Sequence, residues 1–453
     1  MSNRFLWSAT ELQNAFDQDD ISAGVNGISI DSRTTAPGDL FIALSGNPGS
    51  RFGGGNEKAR DGHDFIAMAV KAGASAVMVH RDVICTVPAI RVDNTLDGLW
   101  QLGNFARNRT AAKVAGITGS SGKTTLRYWL QRVLSPMADC HASEGSLNNH
   151  WGVPLSLARM PAESDLGLFE IGTNHPGEIA PLSRLVEPNV ALVLNVLPAH
   201  IGNFSGMPEL TAEKLSISHG LRNDGTLVVP VALAGLANHP RMMTFGKGGD
   251  VYAKGTASGT GTVLNITIGG ADIECEVPFT GAERVESVAA LFAVLAALGF
   301  DPEQAVEHIS TLELPKGRGN LFQVGGITVI DDSYNANPVS MKMSLEHLGS
   351  MKTPKRRIAL LGEMLELGPA SEAAHQEMGR HLKGVDEVYT FGPGFSASSF
   401  ARQGHFLSAN EFDLESFVAR LEPGDSVLVK GSNKVFWKHS FVERLTGTID
   451  HRG

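Results

Sequence analysis

Apolar runs at residues 114–118, 166–171, 190–196 and 227–231 recur through the middle of the chain, with helical patterns between them. Strands covered on both faces read as continuous apolar runs, so this alternation predicts a mostly parallel sheet flanked by helices. Between residues 251 and 279 the pattern changes to alternating residues rich in Gly and Thr. That stretch predicts a small antiparallel flap, followed by a strongly apolar helix over 285–298. Upstream, strands are expected at 25–30, 40–44 and 76–79, with a helix at 65–71. A glycine-rich loop at 45–55 reads as mobile or ligand-ordered. Downstream, strand patterns at 328–331, 358–361, 388–391 and 426–430 alternate with helices, as in a Rossmann-like unit.

The expected fold class is therefore α/β with three domains. Residues 1–110 form a small mixed α/β domain. Residues 111–314 form a central P-loop-type domain with the flap, and 315–453 a Rossmann-like C-terminal domain. A chain of 453 residues exceeds one ordinary core, which fits this division.

Composition narrows the function classes. With 42% hydrophobic and 19% charged residues the chain reads as soluble and globular, and no run is long enough to span a bilayer. The first residues, 1–7, lack the apolar core of a signal peptide, so a cytoplasmic location is expected. A net charge of −10 argues against a general nucleic-acid binder. Cys85, Cys140 and Cys275 are scattered, with no CxxC pair, which argues against a thiolate zinc site. Nothing in the chain specifies an oligomer, and a monomer is expected.

The run Gly119-Ser120-Ser121-Gly122-Lys123-Thr124-Thr125 follows the first central strand and precedes a helical pattern over 125–134. Strand, glycine turn, Lys-Thr and helix form a phosphate cradle. Backbone N–H groups converge on phosphate oxygens, and the helix N-terminus adds positive potential. Lys123 would reach the outer phosphates and Thr124 would touch Mg²⁺. The general pattern wants glycine where Ile117 stands, so a ligand-free glycine turn is the plain alternative.

Strand ends are where open α/β sheets place ligands. Glu170 and Asn195 lie at such ends, His200 follows five residues later, and Lys214 lies on a helical run. A carboxylate beside a phosphate loop suits Mg²⁺, because hard cations want oxygen. His200 could add a nitrogen ligand or hold an outer-shell water. Each of these residues also has an ordinary structural reading on its own.

Together they resemble the Mur ligases, the ATP-dependent amide-forming enzymes of bacterial cell-wall precursor synthesis. Thr118 to Thr124 matches that family's Thr-Gly-x-x-Gly-Lys-Thr loop. Glu170-Ile171-Gly172 with Gly177-Glu178-Ile179, Asn195 to His200, and the Glu-Lys at Lys214 match further motifs. Residues 146–155, 331–338 and 361–368 resemble motifs of the members that add D-alanyl-D-alanine. Asp31-Ser32-Arg33 and residues 61–65 resemble their uridine-nucleotide domain.

The resemblance implies a reaction and a set of roles. ATP would drive addition of D-alanyl-D-alanine to UDP-N-acetylmuramoyl-tripeptide through an acyl phosphate. Lys123, Glu170, His200 and Lys214 would be catalytic, with Lys214 carboxylated by CO₂. One Mg²⁺ would sit on Thr124 and Glu170, a second on His200 and Lys214. Nucleotide contacts are expected from residues 119–125, Arg284, Ser287, Arg318 and Asp332. Substrate contacts are expected from Asp31, Ser32, Arg33, Asn148, Asn149, Asn195, Tyr334, Asn335 and Asn337. Related ligases carry Asn where Arg284 and Ser287 stand. Here Arg284 offers a stacking plane and Ser287 one short hydrogen bond. Asn-Ala-Asn-Pro at 335–338 is equally a helix-entry sequence. The alternatives are another UDP-muramoyl or folate ligase, or a non-catalytic nucleotide-binding regulator.

Overall fold

The computed structural model describes residues 5–45, 60–198, 201–258, 261–365, 367–398, 400 and 403–452. Most of the glycine-rich loop and His200 lie outside the described residues.

Three sheets organise the chain. The first holds β1 (Gly27–Ser29), β2 (Asp39–Ile42), β3 (Ala76–Val79) and β4 (Ala89–Arg91), all parallel and in sequence order. The second holds β5 (Lys113–Thr118), β6 (Cys140–Ala142), β7 (Leu166–Glu170), β8 (Val190–Val193), β9 (Thr226–Pro230) and β10 (Met242–Phe245). It continues through β11 (Val251–Ser258), β12 (Gly261–Ile268) and β13 (Ala271–Val277). Its order is β13-β12-β11-β10-β9-β8-β5-β7-β6. The third holds β14 (Asn320–Val324), β15 (Ile327–Asp332), β16 (Arg357–Gly362), β17 (Glu387–Phe391), β18 (Gly404–Phe406) and β19 (Ser426–Lys430), in the order β14-β15-β19-β16-β17-β18. Only β14 runs antiparallel in that sheet.

The expected flap exists as β11 to β13, within the central unit. β11 pairs with β10 at Phe245 and Val251, so the antiparallel hairpins extend the main sheet. Leu264, Ile266, Ile273, Cys275 and Val277 are buried with the helix Ala282–Leu298 in one cluster. Alternation along β13 buries Ile273, Cys275 and Val277 in that cluster and leaves Asp272, Glu274 and Glu276 exposed. From Val288 to Leu295 the helix is apolar on all sides and buried.

The outer sheets attach differently. Trp7, Trp100 and Met78 share an apolar cluster with Val153, Phe169 and Val193 of the central unit. The Trp7 and Trp100 indoles donate to the carbonyls of Ala158 at 2.8 Å and His150 at 2.9 Å. The clusters of the third sheet draw only on the C-terminal part of the chain.

Central strand β5 lies between β7 and β8, with β6 beyond β7. The chain runs first to one side of β5 and then to the other, which opens a crevice at the strand's C-terminal end. The glycine loop begins there.

Trp129, on the helix Lys123–Leu134, stacks on Phe279 at 4.6 Å and donates from its indole to the Glu313 carbonyl at 2.8 Å. It ties the loop's helix to the flap and to the segment that leads into the third unit. Trp129→Ala should lower unfolding free energy by about 3–5 kcal/mol, read from urea denaturation midpoints.

Candidate active site

The loop turns into its helix through Gly122, whose φ of +80° lies in the left-handed region. A Cβ there would also stand 3.0 Å from Leu194 Cδ2, so glycine serves both turn and close approach. Helix Lys123–Leu134 begins directly after it. No acceptor among the described residues takes the N–H groups of Lys123, Thr124 or Thr125. Three donors at a helix N-terminus thus point out of the strand end, an arrangement that binds phosphate.

Glu170, the last residue of β7, is fully buried. Its Oε2 accepts from the Thr124 hydroxyl at 3.1 Å, and its Oε1 from Arg127 Nε at 3.1 Å. Arg318, from the third unit, donates to the same Thr124 hydroxyl at 3.3 Å. Its guanidinium stacks over Tyr334 at 4.2 Å, and the Tyr334 hydroxyl donates to Ser146 Oγ at 2.8 Å. Burial lowers the Arg318 pKa, with Tyr334, Asp332 and Glu170 opposing that shift.

Lys123 is half-buried, and its ammonium donates to the Gly119 carbonyl at 2.6 Å. Dehydration pulls its pKa down to about 8, while Glu170 holds it up. Lys214 is buried on the helix Met207–Leu215. Burial, and then the Lys123 charge, pull it well below the usual lysine range. Its neighbour Glu213 accepts from the N–H groups of Gly177 and Ile179, both at 2.8 Å, fastening Lys214's helix to the start of another.

Several expected ligand-binding side chains are engaged in local structure. Asn149 Oδ1 accepts from the Gly152 N–H at 3.0 Å, at the start of the helix Gly152–Ala158. Asn337 caps the helix Pro338–Ser350 in a reciprocal box with Ser340, and Asn335 Oδ1 accepts from the Ala336 N–H at 2.9 Å. Ser287 donates back to the Glu283 carbonyl at 2.8 Å, and Arg284 to the Thr280 carbonyl at 2.9 Å. Arg33 closes its fork on its own Asp31, while Ser32 is buried. Asp332 accepts from Lys430 at 2.7 Å and from Ser344 at 2.6 Å. The Asn148 carbonyl accepts from the Gly172 N–H at 2.7 Å. Asn195 bonds to the glycine loop itself.

Residues 117–296 match the Mur ligase middle domain, and residues 317–433 the Mur ligase, glutamate ligase domain. The UDP-N-acetylmuramoyl-tripeptide–D-alanyl-D-alanine ligase of Bacillus subtilis is 31% identical over 90% of this chain and 90% of its own length. The chain belongs to the Mur ligase family. MurF from Acinetobacter baumannii superposes with a TM-score of 0.84 at 31% identity, covering 97% of this chain and 99% of that one. MurF ligase from Thermotoga maritima in complex with ADP gives 0.79 at 26% identity, covering 94% and 98%. These likenesses include the three-domain architecture.

This Mur ligase thus brings Lys123, Thr124, Glu170 and Arg318 together, with Lys214 close enough to Lys123 to feel its charge. Thr124 and Glu170 offer two adjacent oxygens, a donor pair that fits Mg²⁺. Among the described residues, Asp61, His63 and His80 form the one other group with metal-ligand chemistry, and it lies in the first unit. There both His63 nitrogens are engaged, by Asp61 and by the His80 N–H.

Sequence reasoning missed Arg127 and Lys430. Arg127 lies three residues after Thr124, one helical turn on, and its available signal was a cation inside an apolar helical run. Lys430 ends β19 directly opposite Asp332 in the ladder. Arg127→Ala would leave the buried Glu170 carboxylate without its cation. A loss of about 3–5 kcal/mol is expected in urea unfolding, and Arg127→Met with Glu170→Gln should recover most of it.

Proposed function

We propose that this Mur ligase joins D-alanyl-D-alanine to UDP-N-acetylmuramoyl-tripeptide with hydrolysis of ATP to ADP and phosphate. The observation that carries the proposal is the meeting of Lys123, Thr124, Glu170 and Arg318 at the end of β5. Two anionic reactants must approach one another in such a reaction, and these cations sit where charge has to be offset. The MurF relatives named above supply the substrate pair.

The tripeptide carboxylate attacks the γ-phosphorus of ATP, the bond to the bridging oxygen breaks, and ADP leaves. The amine of D-alanyl-D-alanine then attacks the acyl carbon and loses a proton as phosphate departs. Lys123 and the first-turn amides hold the phosphates and orient the γ-phosphoryl group. Thr124 and Glu170 would hold Mg²⁺, which when bound offsets phosphate charge. Arg318 reaches the same point from the third unit, so closure of that unit would complete the site and exclude water.

The remaining roles extend this reading. Asp31, Ser32 and Arg33 receive the uridine diphosphate, for which Arg33 must exchange its bond to Asp31. Asn148 and Asn149, and Tyr334, Asn335 and Asn337, would contact the substrates. Arg284, Ser287 and Asp332 would contact the nucleotide. His200 and carboxylated Lys214 would hold a second Mg²⁺. Burial favours the neutral form of the Lys214 amine, the form that would add to CO₂, forming an N–C bond and releasing one proton. We place the reaction in the cytoplasm, where ATP is available. No helix among the described residues is long and apolar enough to cross a membrane.

The direct experiment measures ADP release from ATP and UDP-N-acetylmuramoyl-tripeptide, with and without D-alanyl-D-alanine. Acceptor-dependent turnover is expected, and Lys123→Ala should lower it at least about a thousandfold. Nucleotide binding without turnover would reject the ligase reading. Lys214→Ala should be inactive and regain activity with short carboxylic acids. A folded variant that no acid rescues would count against the carbamate.

A further inference from the structure

We propose that Asn195 is a positioning residue for the phosphate loop, holding its first half so that the amides from Gly122 onward face the nucleotide. The inference rests on the ligase reading for what the loop binds. Asn195 makes four hydrogen bonds to two loop residues. Its backbone carbonyl accepts from the Ser120 N–H at 3.1 Å. Its Oδ1 accepts from the N–H groups of Ser120 and Ser121, both at 3.0 Å. Its Nδ2 donates to the Ser121 carbonyl at 3.1 Å.

A second clip lies beside the first. The Ser120 hydroxyl donates to the Leu197 carbonyl at 2.8 Å and accepts from the Leu197 N–H at 2.9 Å. These contacts prolong the β5–β8 pairing past both strand ends, since the Leu194 N–H donates to the Thr118 carbonyl at 2.8 Å. The loop can lie this close because a Cβ on Gly119 would stand only 3.1 Å from Leu194 Cβ.

A carboxamide is the side chain this geometry requires. One oxygen accepts two amides while the nitrogen donates to a carbonyl, and both Oδ1 lone pairs are then engaged. A substrate group would have to displace the loop to reach that oxygen. The Ser120 and Ser121 amides are likewise withdrawn from phosphate. The loop's remaining donors are those at the helix N-terminus, where the dipole adds to them. Asn195 therefore acts through the loop backbone and not on the muramoyl substrate.

The test titrates ADP and UDP-N-acetylmuramoyl-tripeptide separately into the full chain by calorimetry, with melting curves to establish folding. Asn195→Ala should weaken ADP binding roughly 10- to 100-fold and leave the UDP-substrate affinity within about twofold. Asn195→Asp keeps the acceptor and loses the donor, so its ADP affinity should fall between the two. Ser120→Ala removes only the second clip, and a loss of roughly 3- to 10-fold is expected. That variant carries the test if Asn195→Ala does not fold. Unchanged ADP affinity in these variants, or selective loss of the UDP substrate, overturns the assignment. The ADP arm decides the matter even if the wild-type chain fails to bind the UDP substrate, a result that would count against the ligase reading alone.

Discussion

A carboxylate with no solvent exposure must find its partners inside the protein, and Glu170 finds both on one helix. Thr124 and Arg127 lie a turn apart on the helix that follows the glycine loop. Their bonds set that helix's rotation, and the rotation sets where its first-turn amides point. Leaving either oxygen unpaired at the end of β7 would be costly, because dehydration of an unmatched charge far exceeds the worth of one exposed contact. The phosphate cradle, the oxygen pair suited to Mg²⁺ and the contact from Arg318 all meet at this one buried charge.

The two outer units relate to that centre in different physical ways. The first unit keeps one cluster of its own, around Phe41, Ile66 and Val77, and shares another with the central unit through Trp7, Trp100 and their neighbours. Moving it away from the central sheet would expose that shared surface to water. The third unit keeps its own cores and reaches across with polar groups, Arg318 to Thr124 and Tyr334 to Ser146. Such contacts exchange with water at little loss, as the proposed closure of that unit would require.

Much of this was legible in the chain. The parallel strands β3, β5, β7 and β19 coincide with apolar runs because a strand buried on both faces leaves no polar period. Strands β4, β6, β10, β14 and β18 carry no such run: β4, β6, β14 and β18 lie at sheet edges, where one face meets water, and β10 is four residues long with only Phe245 buried. The flap is legible as antiparallel because its alternation differs from the neighbouring runs. Its attachment through a single residue pair at Phe245 and Val251 leaves no mark in local composition. Arg127 and Lys430 escaped because a lone cation in a helix or at a strand end is ordinarily solvated. Their meaning came from Glu170 and Asp332, which are distant in sequence.

The chain alone determined which local chemistry exists: a glycine turn between strand and helix, a lysine and threonine after it, and acidic and amide groups at strand ends. Local sterics and the burial period dictate those features, and both act over a few residues. Which carboxylate meets which cation required the folded molecule. So did the engagement of Asn149, Asn195 and Asn337 in holding backbone, since a side chain's hydrogen-bond capacity is finite and only its neighbours in space reveal how it is used.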